Sequence, residues 1–408
     1  MTYLSLNKKV ILFGFIFTFF SSFGQSFFIG LFNPSIRNEL NITHGQFGTI
    51  YAVATILSSL VLIWFGKKID EFNLFNYSFL VVILLFFSTI FFSFVNSVYF
   101  LFFGIFFLRF SGQGLMNHTS TTAISRYFDK SRGKSLSIAW FGLSTAEFIS
   151  PVLVIFFLTL YSWQYVWKGI ALLILIILPI TIFFTIKEIK FDSREVDLNI
   201  IKKKSNTIKI KNWTRSEVIF DYKFYIITLT MLAMPWIATG VFVYQSFIAE
   251  SKLWSSYTIP QSFMIYSIMS ILSLFISGFL VDKFTSRKVI PWINLPLFLA
   301  MVILIFFNHP FSSFVFLGLI GISNGLANVL GSSTWAEIYG VEHIGSIKAM
   351  TTAFMVFSTA FGTFLFGILI DNHFSIENIA SIASIYIVIS TILLLFFKKS
   401  LEPIILLK

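Results

Sequence analysis

The sequence predicts an all-α polytopic membrane protein of twelve transmembrane helices in two six-helix repeats, with both termini on the cytoplasmic side. Three observations predict it. Twelve apolar segments have spanning length, lysine and arginine are distributed one-sidedly, and three separate regions repeat at an offset of 212 residues. Of the 408 residues, 57% are hydrophobic and 12% charged, with a mean hydropathy of +0.87. No soluble chain of this size has enough interior for so much apolar surface, so lipid is the solvent for most of it.

A spanning helix needs about 20 mostly apolar residues. Segments 10–33, 46–65, 75–95, 98–122, 135–160, 165–186, 224–249, 259–281, 289–307, 311–335, 346–370 and 376–397 qualify. The first follows Lys8 and Lys9 and superficially resembles a signal peptide. No small-residue cleavage site follows it, and the apolar run continues past Phe28, so it reads as a span. The connections are short except for the polar, Lys-rich stretch 187–223. That stretch divides the chain into an N-terminal bundle (1–186), a cytoplasmic central loop (187–223) and a C-terminal bundle (224–408).

With the N-terminus inside, 25 of the 29 lysines and arginines fall on the cytoplasmic side. The outer loops hold Arg37, Lys168 and Lys252, and Arg109 is left in the membrane. Positive charge retained inside is the topological signal expected of a multi-pass protein. The net charge of +11 is then explained by orientation and anionic headgroups, and no nucleic-acid partner is expected. With no cysteine and five scattered histidines, no metal site or cofactor is expected either.

The repeat has a definite register. "FGKKID" sets Gly66 four residues before Asp70, and "SGFLVDK" sets Gly278 four residues before Asp282. The same offset relates Gly133 to Gly345, Tyr127 to Tyr339 and Ser111 to Ser323. Parallel six-span repeats are a known transporter architecture. Glycine permits close helix approach, and a carboxylate is favoured near a helix N-terminus. Gly66, Asp70, Gly278, Asp282 and Arg287 therefore read as a cytoplasmic gate latching the two halves; the plainer alternative is a pair of charged turns.

These twelve spans, the paired Gly-x-x-x-Asp loops and "RYFDKSRGKSLSIAWFG" (126–142) together resemble the major facilitator superfamily. "WAEIYGVEHIGSIKA" (335–349) and "GQSFF" (24–28) resemble its monocarboxylate and oxalate–formate antiporter-like branch. The resemblance implies the superfamily fold and secondary transport by alternating access. Departures are specific. The first loop copy continues Glu71, Phe72, Asn73 and lacks the usual Asp-Arg, whereas the second, with Lys283 and Arg287, is closer. Gly112 stands where the span-four signature has Gln, and Gln113 follows it. "GLSTAEFISP" (142–151) lacks the Gly-Pro pair of drug antiporters, which counts against multidrug efflux.

Arg109 carries the functional expectation. A guanidinium at the bilayer centre costs at least ~2.5 kcal/mol on insertion scales, so it is rarely left there without a partner or a task. It lies about 20 Å above the inner end of span four, and Glu147 lies about 18 Å up span five. The two are expected to sense one another. Gln113 shares the face of Arg109 at i+4, Gln25 sits at comparable height in span one, and Asn324, Asn328 and Ser332 form a stripe on span ten. Gly321 occupies the position equivalent to Arg109. In the leading reading Arg109, Gln113, Gln25, Asn324 and Asn328 bind a small organic anion, a carboxylate, and Glu147 carries a coupling proton. In the alternative, Arg109 and Glu147 are a permanent structural pair.

The expected function is a secondary active transporter, a monomeric multi-pass protein of the plasma or bacterial inner membrane, moving the anion by alternating access with proton coupling. Symport is the first expectation, with uniport and antiport open. An exporter of amphipathic compounds is the alternative within transport. A membrane-embedded enzyme needs paired intramembrane aspartates, a His-x-x-x-Glu metal pair or a Ser–His dyad, and the sequence has none at membrane depth. His118 is assigned to packing or a local hydrogen bond, Pro235 to a kink in span seven, and the phenylalanines mainly to lipid contact.

Overall fold

The computed structural model describes residues 3–128, 132–187 and 211–402. Most of the expected central loop, and the last six residues, lie outside them. The described residues form helices and no strand. Eleven helices are long and apolar enough to span a membrane: His44–Asp70, Leu74–Phe92, Val98–Tyr127, Lys134–Leu160, Trp163–Thr185, Tyr222–Val243, Thr258–Phe284, Ser286–Phe306, Phe311–Tyr339, Ile344–Asp371 and Ile376–Phe396. These are spans two to twelve. Span one completes the set as a broken helix, Tyr3–Ser21 continued by Ser26–Gly30 after a short turn. The two-repeat, twelve-helix fold expected from the sequence is the fold observed.

Local chemistry starts and stops these helices. Thr43 and Gln46 form a capping box at the start of span two, and Asn73 and Ser375 cap spans three and twelve through their side chains. Each cap gives an otherwise orphaned backbone N–H a partner. Span ten ends at Gly340, whose φ of +81° is open only to glycine at low cost. The phenylalanines divide in a way the sequence did not show. Phe184, Phe279 and Phe396 face outward, but Phe13, Phe17, Phe28, Phe32, Phe47 and Phe92 are fully buried core.

The two ends of the bundle differ. At the end opposite the basic loops, the halves are bonded together. Asp371, at the end of span eleven, accepts the backbone N–H groups of His44 (3.0 Å) and Gly45 (2.8 Å) at the start of span two. The Tyr244 hydroxyl lies 2.9 Å from the His44 carbonyl and 3.0 Å from that of Thr363. Asn33 donates to the Val243 carbonyl at 2.8 Å, and Gln245 to the Phe27 carbonyl at 2.9 Å. Gly30 and Gly48 meet backbone of the other half so closely that a Cβ on either would collide with Phe242 and Thr363 carbonyls.

At the basic end, the ion pairs among the described residues stay within each half. Arg126 binds Asp70, and Arg287 binds Glu337 at 2.5 Å. The expected latch joining the halves through Asp70 and Asp282 is therefore not engaged at Asp70 in this conformation: the guanidinium of span four's own end holds that carboxylate. The device itself, a carboxylate set on a helix N-terminus beside a glycine, is present at the opposite end, in Asp371 and Gly45. Gly66 packs toward His118 instead, and Gly278 has open space around it.

Candidate functional site

A cavity of about 620 Å³ lies between the halves. It runs from Phe27 and Phe242, beneath the closed end, to Ser137 and Val329 in the basic halves of spans five and ten. Gln25, Gln113, Glu147, Asn324 and Asn328, five of the six residues expected to bind solute or proton, line it together. Glu147 is the one acidic or basic side chain among the described lining residues.

Glu147 reaches the cavity because spans five and eight face each other across it. Phe141 and Phe275 approach with ring centroids 6.4 Å apart, and Tyr266 of span eight is an electrostatic neighbour of the Glu147 carboxyl. No ion pair or hydrogen bond to Glu147 is formed among the described residues. On the far wall, the Asn324 amide donates to the Ser270 hydroxyl at 2.9 Å, which joins spans ten and eight. Asn328 lines the same wall one turn on. The side chain of Ser332 lies outside the described residues.

Arg109 departs from expectation. It is buried to 4% exposure and is not among the cavity-lining residues. Its Nη1 donates to the Gly24 carbonyl at 3.2 Å, its guanidinium carbon lies 5.3 Å from the centre of the Tyr51 ring, and its Nε is buried without a hydrogen-bond partner. It does not pair with Glu147. The two do lie on consecutive helices, but span one passes between them. Gly142 of span five lies so close to span one that a Cβ there would collide with the Phe15 carbonyl, while Ser120 of span four donates to the Gly14 carbonyl at 2.9 Å. Arg109 turns to the break in span one, and Glu147 turns to the cavity.

The sequence reading missed several residues here. Tyr266, Trp140, Thr239 and Ser270 line the cavity, yet each reads as an ordinary member of an apolar helix. Among the residues closing the far end, Asp371 carried a usable signal: a lone carboxylate at the end of an apolar run, facing a glycine at the start of another. His118 behaves as expected, with Nε2 3.0 Å from the Gly66 carbonyl. Pro235 lies inside span seven and lines the cavity.

Comparison with known proteins places the whole assembly. No curated protein matches the sequence significantly. Two crystal structures of a bacterial homologue of the human lysosomal transporter Spinster share the fold. The inward-facing unoccupied form has a TM-score of 0.73 at 13% identity, covering 98% of both chains. The inward-facing occupied form has a TM-score of 0.71 at 15% identity, covering 98% of this chain and 97% of that one. The family model described as Major Facilitator Superfamily matches residues 14–247 and 225–404, and the chain belongs to the major facilitator superfamily of membrane transporters.

Proposed function

We propose that the protein is a proton-coupled carrier of an amphipathic organic solute, with Glu147 as its proton site. The single observation behind this is that Glu147 is a carboxyl on the wall of the central cavity with no ion pair or hydrogen bond among the described residues. A carboxyl held by no other side chain is free to exchange a proton with the solution on whichever side the cavity opens, and alternating access then couples that proton to the solute. With the basic end cytoplasmic, as the lysine and arginine distribution implies, the conformation described is inward-facing. The solute class follows from the walls. The rings of Phe27, Trp140, Phe242 and Phe275 line the cavity with the amides of Gln25, Gln113, Asn324 and Asn328, which suits a molecule with an apolar body and a hydrogen-bonding head.

The test is uptake into proteoliposomes under an imposed proton gradient. Glu147→Gln is expected to abolish uphill accumulation while leaving solute exchange at equal concentrations. Normal uphill accumulation by Glu147→Gln, with unaltered pH dependence, overturns the coupling role.

A second reading, transport of a small carboxylate as in the monocarboxylate-like branch, is favoured by one observation: the buried Arg109 Nε has no partner, and Gln25 and Gln113 on the cavity wall flank its helix contacts. It requires a rearrangement that uncovers the guanidinium. Carboxylates that raise the melting temperature of the wild type but not of Arg109→Ala support it. A screen of carboxylates without any such shift removes it.

A further inference from the structure

The helix of span one stops at Ser21, continues as a single 3₁₀ turn over Ser22–Gly24, and breaks at Gln25, which is extended with ψ of 153°. Helix resumes at Ser26. A break at membrane depth frees backbone carbonyls where no water is available to satisfy them. The Gln25 N–H takes the Ser22 carbonyl at 2.9 Å. The Gly24 carbonyl takes the Arg109 guanidinium, a cation set at the negative end of the helix that has just stopped.

Span four is deformed at the same point. Arg109–Met116 is π-helical inside an otherwise α-helical span, a local widening often found at functional sites. Gly24 and Gly112 face each other there. A Cβ on Gly24 would collide with the Leu108 carbonyl and the Gln113 nitrogen, and one on Gly112 with the Gly24 nitrogen. The break and the π segment are therefore fitted backbone to backbone, with Arg109 as the side chain that bridges them.

What lies beyond the break is the closed end. Ser26–Gly30 and the helix that follows carry Phe27, Gly30 and Asn33, which meet Gln245, Phe242 and Val243 of the other half. The inner part of span one instead packs on spans four and five. We propose that Ser22–Gln25 is the hinge of the outer gate and that Arg109 is its positioning residue, clasping the hinge in the bent form that closes the outer end and turns Gln25 to the cavity. In this role the guanidinium acts on the protein's own backbone. This goes beyond the assignment of Glu147 and does not depend on it.

The chain has no cysteine, so single introduced cysteines report accessibility without further engineering. Thr363→Cys places one at the closed end, where Thr363 is fully buried. Met355→Cys places one on the open cavity wall, where Met355 is 41% exposed. Each is labelled in detergent with a bulky water-soluble maleimide, in chains carrying Arg109, Arg109→Gln or Arg109→Lys. Loss of a hydrogen bond to a charged group is expected to shift the two states roughly ten-fold. Arg109→Gln should thus label about ten times faster at Thr363→Cys and more slowly at Met355→Cys, and Arg109→Lys, which keeps a charged donor, should recover part of both changes. Unchanged rates at both positions overturn the proposal. So does faster labelling at both, which is what general loosening of the fold gives. The rates do not read the proton gradient, so failure here and failure of the coupling role are distinguished by separate assays.

Discussion

Spans four and ten occupy the same place in the two repeats, yet they are built differently. Span four carries Arg109, turns π-helical over Arg109–Met116 and packs on a broken helix. Span ten runs unbroken from Phe311 to Tyr339, with Gly321 at the position equivalent to Arg109. Gly321 and Gly325 bring it backbone to backbone against span eight, where Cβ atoms would collide with the Tyr266 and Ser270 carbonyls. The amides of Asn324 and Asn328 then face the cavity. One repeat has kept a smooth helix pair as a wall. The other holds a buried cation against a hinge. A duplicated frame thus assigns rigidity to one half and a bendable joint to the other.

Four substitutions test that contrast, beginning with the largest effect. Gly24→Ala and Gly321→Ala each press a methyl group into backbone that cannot yield, and each should cost about 3 kcal/mol or more, read as a fall in melting temperature. The contrast predicts a second difference. Gly24→Ala separates the hinge from span four and should also raise accessibility of the outer end, whereas Gly321→Ala should lower stability alone. Equal effects of both on the outer end would erase the distinction between wall and joint.

Arg109→Met comes next, large on transport and small on stability. A partly satisfied guanidinium at membrane depth costs about 2.5 kcal/mol or more, and a hydrogen bond to a charged group returns about 1.5–3 kcal/mol. The two nearly cancel, so the melting temperature should move little while uptake is largely lost. On span ten, Asn324→Leu removes one neutral hydrogen bond to Ser270, worth about 1 kcal/mol, and should weaken solute binding without changing gate accessibility. An Arg109→Met protein as active as the wild type would make the buried cation dispensable.

How far the sequence reveals this architecture depends on the length scale. Spans, orientation signal and repeat are written in composition and register, because lipid demands about 20 apolar residues per crossing. Five of six expected cavity residues share one wall or the other because helical spacing fixes which residues face together. The break at Gln25 has no such signature: Ser21-Ser22-Phe23-Gly24 differs little from other Gly- and Ser-containing stretches in these helices. Without it, depth alone pairs Arg109 with Glu147. The structure separates them because span one runs between, a three-helix fact that pairwise counting along the chain does not contain.

The smallest effect concerns how the end of span ten is held. The described end of the central loop docks there: the Trp213 N–H donates to the Tyr339 carbonyl at 2.9 Å, and the Asn212 side chain accepts from Val341 and Glu342 N–H groups. Glu217 organises that strap. Lys211 binds its carboxylate at 2.8 Å, and the Thr214 N–H donates to it at 2.8 Å. The Lys211 hydrogen bond first, and the Thr214 N–H next, hold its pKa down at about 2. Since the folded value lies below the unfolded one of about 4.3, this contribution is present above that value and lost as pH falls toward 2. Hydrogen exchange of the strap should therefore accelerate between about pH 4 and pH 2 in the wild type and show no such step in Glu217→Gln. Both partners are solvent-exposed, so high salt should shrink the step. A step of equal size in Glu217→Gln would assign the pH dependence to a carboxylate other than Glu217.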